Sequence, residues 1–513
     1  MSELSPTQLE VMKNAFVSIP EQMGAALQRS SYSPNIKERK DESCALFSAD
    51  AKLLAQAEHI PVHLGAMPNA LDAAVERCEL SRGDQIILND PYKGGTHLPD
   101  ITIIKPVWSG EDFLGYVVNR AHHSDIGGKT PGSMPGDSKT LQDEGIVIPP
   151  MHIMDKGEIV EDVMEMFRNL RCSSERIGDL RAQMGANELG ASEFTKAVRR
   201  FGLDSYGEFV DDVIRYSEKR TREAIKGMQD FDVKEMDVME WKEPVELHLS
   251  MKKEGDAMRF DFQGTHPQVQ GNINAPAPVT HSAVYYVLRC LIPDDIPITA
   301  GCYEPISIDI PKGTVLNPEP PAAVSSGNVE TSQRVVELIL KCLRQVLPDT
   351  IPAESQGTMN NVTIGNDNFT FYETIGGGAG AYWRGGGEDG VHVHMTNTQN
   401  TPIESVENEY PLRVKQYRLR KGSGGAGRYK GGDGIVKEIE FLEDCHLSIQ
   451  SERREHEPKG MKGGGNGKRG ENILLSSGEK ILLGSRVSRD VKAGDALIIK
   501  TPGGGGWGEK NDS

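Results

Sequence analysis

No apolar run in this chain approaches the roughly 20 residues that a membrane-spanning helix requires, and a soluble protein is expected. The opening Met1-Ser2-Glu3-Leu4-Ser5 has neither a basic nor an apolar stretch, so no export leader is expected there. Basic residues are in deficit. Against 75 Asp and Glu stand 57 Lys and Arg, a formal net charge of -18, which argues against a nucleic-acid partner. Cysteine is sparse: Cys44, Cys78, Cys172, Cys290, Cys302, Cys342 and Cys445 include no C-x-x-C pair, as expected of reduced thiols in the cytoplasm. Cys44 precedes the apolar Ala45-Leu46-Phe47 and reads as a small core residue, with a nucleophilic role the minor alternative. A nucleotide cradle is also missing. Gly127-Gly128-Lys129-Thr130 imitates a P-loop, but His123 stands where its first glycine belongs.

At 513 residues the chain exceeds one simple core, and its patterns divide it into four regions of an α+β fold. Region 1-158 opens with a capped helix at Ser5-Pro6, which Pro20 should kink or divide, and continues into strands. Region 159-240 is helical, with Val163, Met166, Leu170, Ile177, Leu180 and Met184 at helical intervals. Region 241-409 alternates strands with helices near 280–291 and 334–346. Region 410-513 is glycine-dense and β-rich, and its glycines are expected to serve turns.

The chemistry concentrates in the first region. His97-Leu98-Pro99-Asp100 and His122-His123-Ser124-Asp125 flank two extended segments, Ile101 to Val107 and Phe113 to Asn119, separated by the turn-like Ser109-Gly110. A hairpin would bring their outer ends together. His97, Asp100 and His122 would then share one rim as two imidazoles and a carboxylate, a set suited to catalytic Zn, Mn or Fe. Residues adjacent in a strand point to opposite faces, so His122 is the ligand of its pair and His123 is left as an acid or base, or as packing. Asp125 is placed behind the site as an acceptor that fixes an imidazole. His59 and His63 either face the same cavity or are hydrogen-bonded loop residues.

Long motifs extend these readings. Tyr32-Ser33-Pro34-Asn35-Ile36-Lys37-Glu38-Arg39, His59-Ile60-Pro61-Val62-His63-Leu64-Gly65, Asn89-Asp90-Pro91 and Gly95-Thr96-His97-Leu98-Pro99-Asp100 are four of them. Ala121-His122-His123-Ser124-Asp125, Gly327-Asn328-Val329-Glu330-Thr331-Ser332-Gln333, His394-Met395-Thr396-Asn397-Thr398 and the terminal Thr501-Pro502-Gly503-Gly504-Gly505-Gly506-Trp507-Gly508 follow. Together they resemble the hydantoinase B / 5-oxoprolinase family, which includes relatives of acetone and acetophenone carboxylase subunits.

The resemblance implies a metal-containing B subunit of an ATP-dependent cyclic-amide hydrolase, acting on hydantoins, N-methylhydantoin, 5-oxoproline or a related lactam. It implies metal ligands at His97, Asp100 and His122 with Asp41 as a further candidate, and one divalent metal; on the chemistry of such a site, His123 or Asp125 is the expected proton acceptor near neutral pH. A hydantoinase A-type ATPase partner would use the ATP and phosphorylate the substrate carbonyl. A hetero-oligomer with at least two copies of each chain is expected. A carboxylase subunit built on the same ligands is the second reading, and a non-catalytic assembly subunit with a structural metal is the third.

Overall fold

The computed structural model describes residues 4–57 and 59–510; Met1 to Glu3 of the opening stretch lie outside them. The first helix, α1 (Pro6–Ser30), begins with a capping box: the Ser5 hydroxyl accepts from the Gln8 backbone, and the Gln8 side chain accepts from Ser5 N–H. Pro20 does not divide it. The helix runs unbroken because Met12, Phe16, Ile19, Met23 and Leu27 form a buried stripe whose packing offsets the one backbone bond lost. A short turn, α2 (Pro34–Lys37), leads into the first sheet.

That sheet holds β1 (Glu42–Ser48), β2 (Leu53–Ala57), β3 (Gln85–Leu88), β4 (Asp100–Ser109), β5 (Asp112–His122), β6 (Met151–Asp155) and β7 (Glu158–Ile159), in the order β2-β1-β5-β4-β3-β6-β7. Helix α3 (Ala66–Arg77) lies between β2 and β3 in sequence. Strands β4 and β5 form the expected hairpin, with Asp100 opposite His122 and Ser109 opposite Asp112. Helices α4 (Glu161–Arg168), α5 (Ser173–Phe201) and α6 (Leu203–Lys226) make the helical middle. A buried amide ladder ties α5 to the hairpin: Asn119 donates to Asn187 Oδ1 at 2.8 Å, and Gln183 donates to Ile101 O at 2.9 Å. Phe16 of α1 stacks on Phe209 of α6 at 4.8 Å.

Next come β8 (Phe231–Met239), β9 (Val245–Glu254), β10 (Ala257–Asp261), α7 (Ala277–Leu291), β11 (Ile306–Asp309) and α8 (Ser332–Val346); the four strands form a second sheet, ordered β11-β10-β9-β8. The core built here also takes in Ile60 and Val62, so the segment before His63 is pinned between the first sheet and α7. The last part holds β12 (Asn361–Gly365), β13 (Thr370–Glu373), α9 (Ile403–Glu409), β14 (Leu412–Arg420), β15 (Gly434–Phe441), β16 (Cys445–Gln450), β17 (Glu471–Ser476), β18 (Glu479–Leu483), β19 (Arg486–Val491) and β20 (Ala496–Lys500). These strands make two sheets, β13-β12-β16-β19 and β14-β15-β20-β17-β18.

The C-terminal glycines differ from expectation. Most of them do not turn the chain; they let extended backbones lie directly against one another. A Cβ on Gly504 would stand 1.9 Å from Ala379 O, and one on Gly431 2.0 Å from Gly504 O. Gly504 N–H donates to Gly432 O at 2.9 Å and Gly425 N–H to Gly504 O at 2.8 Å, so bare backbone pairs with bare backbone.

Candidate metal centre

The hairpin positions the cluster. Asp100 opens β4 and His122 closes β5, while His97 stands on the turn before β4, where its carbonyl accepts from Asp100 N–H at 3.1 Å. The loop that presents His97 passes α3 so closely that a Cβ on Gly94, at φ +88, would meet Ala70 N at 2.4 Å. Arg120 anchors it from beneath by donating to Gly94 O at 3.0 Å and to Thr102 Oγ1 at 2.8 Å.

His97 Nε2 lies 3.0 Å from Asp100 Oδ1, His122 Nδ1 lies 3.2 Å from the same oxygen, and the two nitrogens are 3.2 Å apart. All three residues are buried. No placement of protons turns all three edges of this triangle into hydrogen bonds: two N–H groups leave a donor facing a donor, and one leaves a lone pair facing the carboxylate. A cation satisfies every edge at once. Ligand bonds of about 2.1 Å meeting at roughly 90–109° put neighbouring donors about 3.0–3.4 Å apart, so the residues present fit a divalent ion.

Further groups shape the cluster. Thr96 Oγ1 donates a short hydrogen bond to Asp100 Oδ2, and His63 Nε2 approaches that oxygen at 3.5 Å while its Nδ1 meets Ser43 Oγ at 2.9 Å. Tyr372 stacks on the His122 ring with centroids 4.5 Å apart, and the Arg39 guanidinium covers the tyrosine at 4.7 Å. Burial alone would raise the Asp100 carboxyl, but His97, His122 and His63 hold it well below the usual carboxylate range. Burial pushes the His122 imidazole down against the pull of Asp100, which favours the neutral ring that a metal ligand requires.

A cavity of about 20 Å³, room for roughly one ion or water, is lined by Asp41, His63, His97, Asp100, His122 and Tyr372 among others. Asp41 thus reaches the cavity, but its carboxylate stays outside the compact group formed by the other three candidate ligands. His123 and Asp125 are not brought to it. His123 packs edge-on to Phe167 at 6.1 Å and meets Gln183 Oε1 at 2.9 Å, on the α5 side of the strand. Asp125 accepts from Gly127 N–H and Gly132 N–H, each at 2.7 Å, and from Arg171 at 3.2 Å, so it shapes the following loop. Cys44 is a core residue whose thiol burial raises well above its ordinary value.

A larger cavity of about 800 Å³ adjoins the small one: Thr396 lines both, and along the 59–64 segment His59, Pro61 and Leu64 face the larger while Ile60, Val62 and His63 face the smaller. Tyr372 and Thr396 carry no ligand spacing in the sequence. They reach this place only through long-range packing, with Glu330 behind Tyr372 and joined to it through Asn361, although Glu330 and Thr396 fall within two of the long motifs.

The hydantoinase B/oxoprolinase family model matches residues 5–510. Over 98% of its length the chain is 42% identical to 5-oxoprolinase 1 of Arabidopsis thaliana, of which it covers 42%, so it spans about two-fifths of that relative. It is 41% identical to the protein MJ0963 of Methanocaldococcus jannaschii, covering 98% of this chain and 90% of that one. Among solved structures, the ATP-dependent caprolactamase from Pseudomonas jessenii is similar with a TM-score of 0.92 at 25% identity, over 99% of this chain and 92% of that one.

Proposed function

The chain belongs to the hydantoinase B/oxoprolinase family, and on that footing we propose that it is the metal-bearing subunit of an ATP-dependent cyclic-amide hydrolase. The observation that supports this reading is the His97–Asp100–His122 triangle, whose three edges fit ligands sharing one cation, beside a cavity sized for one ion. We assign the ion to these three residues with Asp41 beside them, and take it to be Zn or Mn, with Fe the less favoured choice. When bound, such an ion supplies Lewis acidity that lowers the pKa of water to about 7 and polarises a carbonyl.

The chain's own residues then have defined tasks. Thr96 and His63 fix the second oxygen of Asp100, Tyr372 holds the plane of the His122 ring, and Arg39 holds Tyr372. His123 and Asp125 act from behind, His123 by bracing the end of β5 against Gln183 and Asp125 by folding the loop after it. An unstrained amide is a poor electrophile, so the carbonyl oxygen must first become a leaving group. We assign that step to a hydantoinase A-type ATPase in a hetero-oligomer with at least two copies of each chain. The absent P-loop glycine at His123 supports a separate activating partner, as does the Arabidopsis relative, most of whose length lies outside the match. The seven cysteines form no disulfide among the described residues, which accords with a cytoplasmic location, and among the described residues no helix is long and apolar enough to cross a membrane.

Co-purification with the partner, followed by ATPase assays on hydantoin, 5-oxoproline, lactams and ketones with and without bicarbonate, tests the reading. It expects a ring-opened acid with ADP and phosphate, independent of bicarbonate. Turnover confined to ketones with bicarbonate would establish the carboxylase instead.

A further inference from the structure

We infer that His59, backed by the buried Glu42, is the catalytic acid that protonates the ring nitrogen of a cyclic amide held in the outer cavity. This rests on the proposed hydrolase function.

The geometry is that of a dyad. His59 Nδ1 lies 2.6 Å from Glu42 Oε1, the carboxylate is fully buried, and Gln28 donates to the same oxygen at 2.9 Å. The His59 side chain is 30% exposed and lines the 800 Å³ cavity. Nδ1 meets Glu42 and lies 3.3 Å from Gln28 Nε2, so we give the proton-transfer role to Nε2, the arrangement by which a carboxylate orients an imidazole for proton transfer. The Glu42 hydrogen bond raises the His59 imidazole, outweighing burial; Lys40 opposes it and Glu21 adds to it.

Ring opening needs such a donor. Water adds its oxygen to the phosphorylated carbonyl carbon, the C–N bond breaks with its electron pair passing to nitrogen, and nitrogen takes the Nε2 proton. Both protons of the added water end on nitrogen: one arrives as water adds across the C=N bond left by O-phosphorylation, and the other replaces the proton His59 gives up, as the new hydroxyl becomes the acyl carbonyl. An acyl phosphate remains, which a second water cleaves to carboxylate and phosphate. The other histidines of the two cavities, and Tyr372, are engaged elsewhere or lack the proton. His63, His97 and His122 face Asp100, Tyr372 Oη donates to Asn361 at 2.9 Å, and His394 pairs with Glu337 at 2.9 Å. Burial pushes His392 down to about 4, so near neutral pH it lacks the proton to give.

The test is His59→Ala and Glu42→Gln in the complex with the ATPase partner, following ring-opened product across pH and in added imidazole. His59→Ala should lose roughly 100-fold or more in kcat with KM and metal content unchanged, and imidazole should restore part of it. In Glu42→Gln the His59 pKa falls, so activity should disappear at lower pH on the alkaline limb than in the wild type. A merely structural His59 would give no imidazole rescue and no displaced limb, and either result overturns the inference, as does His59→Ala activity within threefold of wild type. If the wild-type complex opens no cyclic amide, the hydrolase reading itself fails and the inference falls with it.

Discussion

Replacing Glu330 by Gln should strengthen the fold increasingly as pH rises from 5 to 8. Glu330 is fully buried on the turn before α8; its Oε1 accepts from Met359 N–H at 3.0 Å and Asn361 Nδ2 at 2.8 Å, while Oε2 has no partner. Burial, with Glu452 nearby, pushes its carboxyl up from 4.5 to about 8 against the hydrogen bonds it accepts and Arg486. Between those values the unfolded chain ionises while the folded protein stays protonated, so wild-type stability falls as pH rises. At about 1.4 kcal/mol per pH unit, the full interval from 4.5 to about 8 corresponds to roughly 5 kcal/mol. Gln keeps the Oε1 acceptor and never ionises, so the variant lacks this fall, and other titrating groups cancel in the comparison. Denaturant unfolding of both proteins at pH 5, 6, 7 and 8 reads the gap directly. A gap independent of pH, or a variant weaker than wild type at pH 8, would show that Glu330 is ionised in the fold. The result bears on the site because Asn361 links Glu330 to Tyr372, which stacks on His122. A neutral Glu330 puts no charge behind Tyr372, and the Asp100 carboxylate supplies negative charge at the small cavity.

Three further outcomes follow from particular contacts. His123→Ala should keep the metal yet cost about 3 kcal/mol in denaturant unfolding, from the hydrogen bond lost to Gln183 and the void left beside Phe167; loss of metal without loss of stability would mean the ligand is misassigned by one residue. Gly504→Ala should give little folded protein, judged by thermal melting and solubility, because its Cβ would overlap the Ala379 carbonyl at 1.9 Å; a wild-type melting temperature would refute backbone-on-backbone packing there. The isolated chain should bind no ATP in calorimetry, and micromolar binding would contradict the assignment of nucleotide chemistry to a partner.

Much of the candidate centre was legible because the hairpin is a local structure. Ile, Val and aromatic residues on either side of Ser109-Gly110 specify antiparallel strands, and the pairing of Asp100 with His122 follows from that turn. Glu330 and Tyr372 were not legible as neighbours, and His63 was legible only as one of two alternatives, since they come from segments brought in by a core joining Ile60 and Val62 to residues beyond 330. Of the two outcomes expected at Pro20, division of the helix does not occur, because one missing backbone bond is a small term beside a buried helical face. The glycine expectation failed for another reason. Turn glycines and close-packing glycines have the same composition, and only tertiary contacts such as Gly431 against Gly504 distinguish them.

The most direct test of the metal assignment is the divalent-ion content of the purified chain and of His122→Ala, by elemental analysis followed by calorimetric titration with Zn and Mn. About one ion per wild-type chain, and none in a folded His122→Ala protein, is the predicted result. A wild-type chain that carries no ion and takes up neither on titration, or a His122→Ala variant that binds as tightly as wild type, would contradict it.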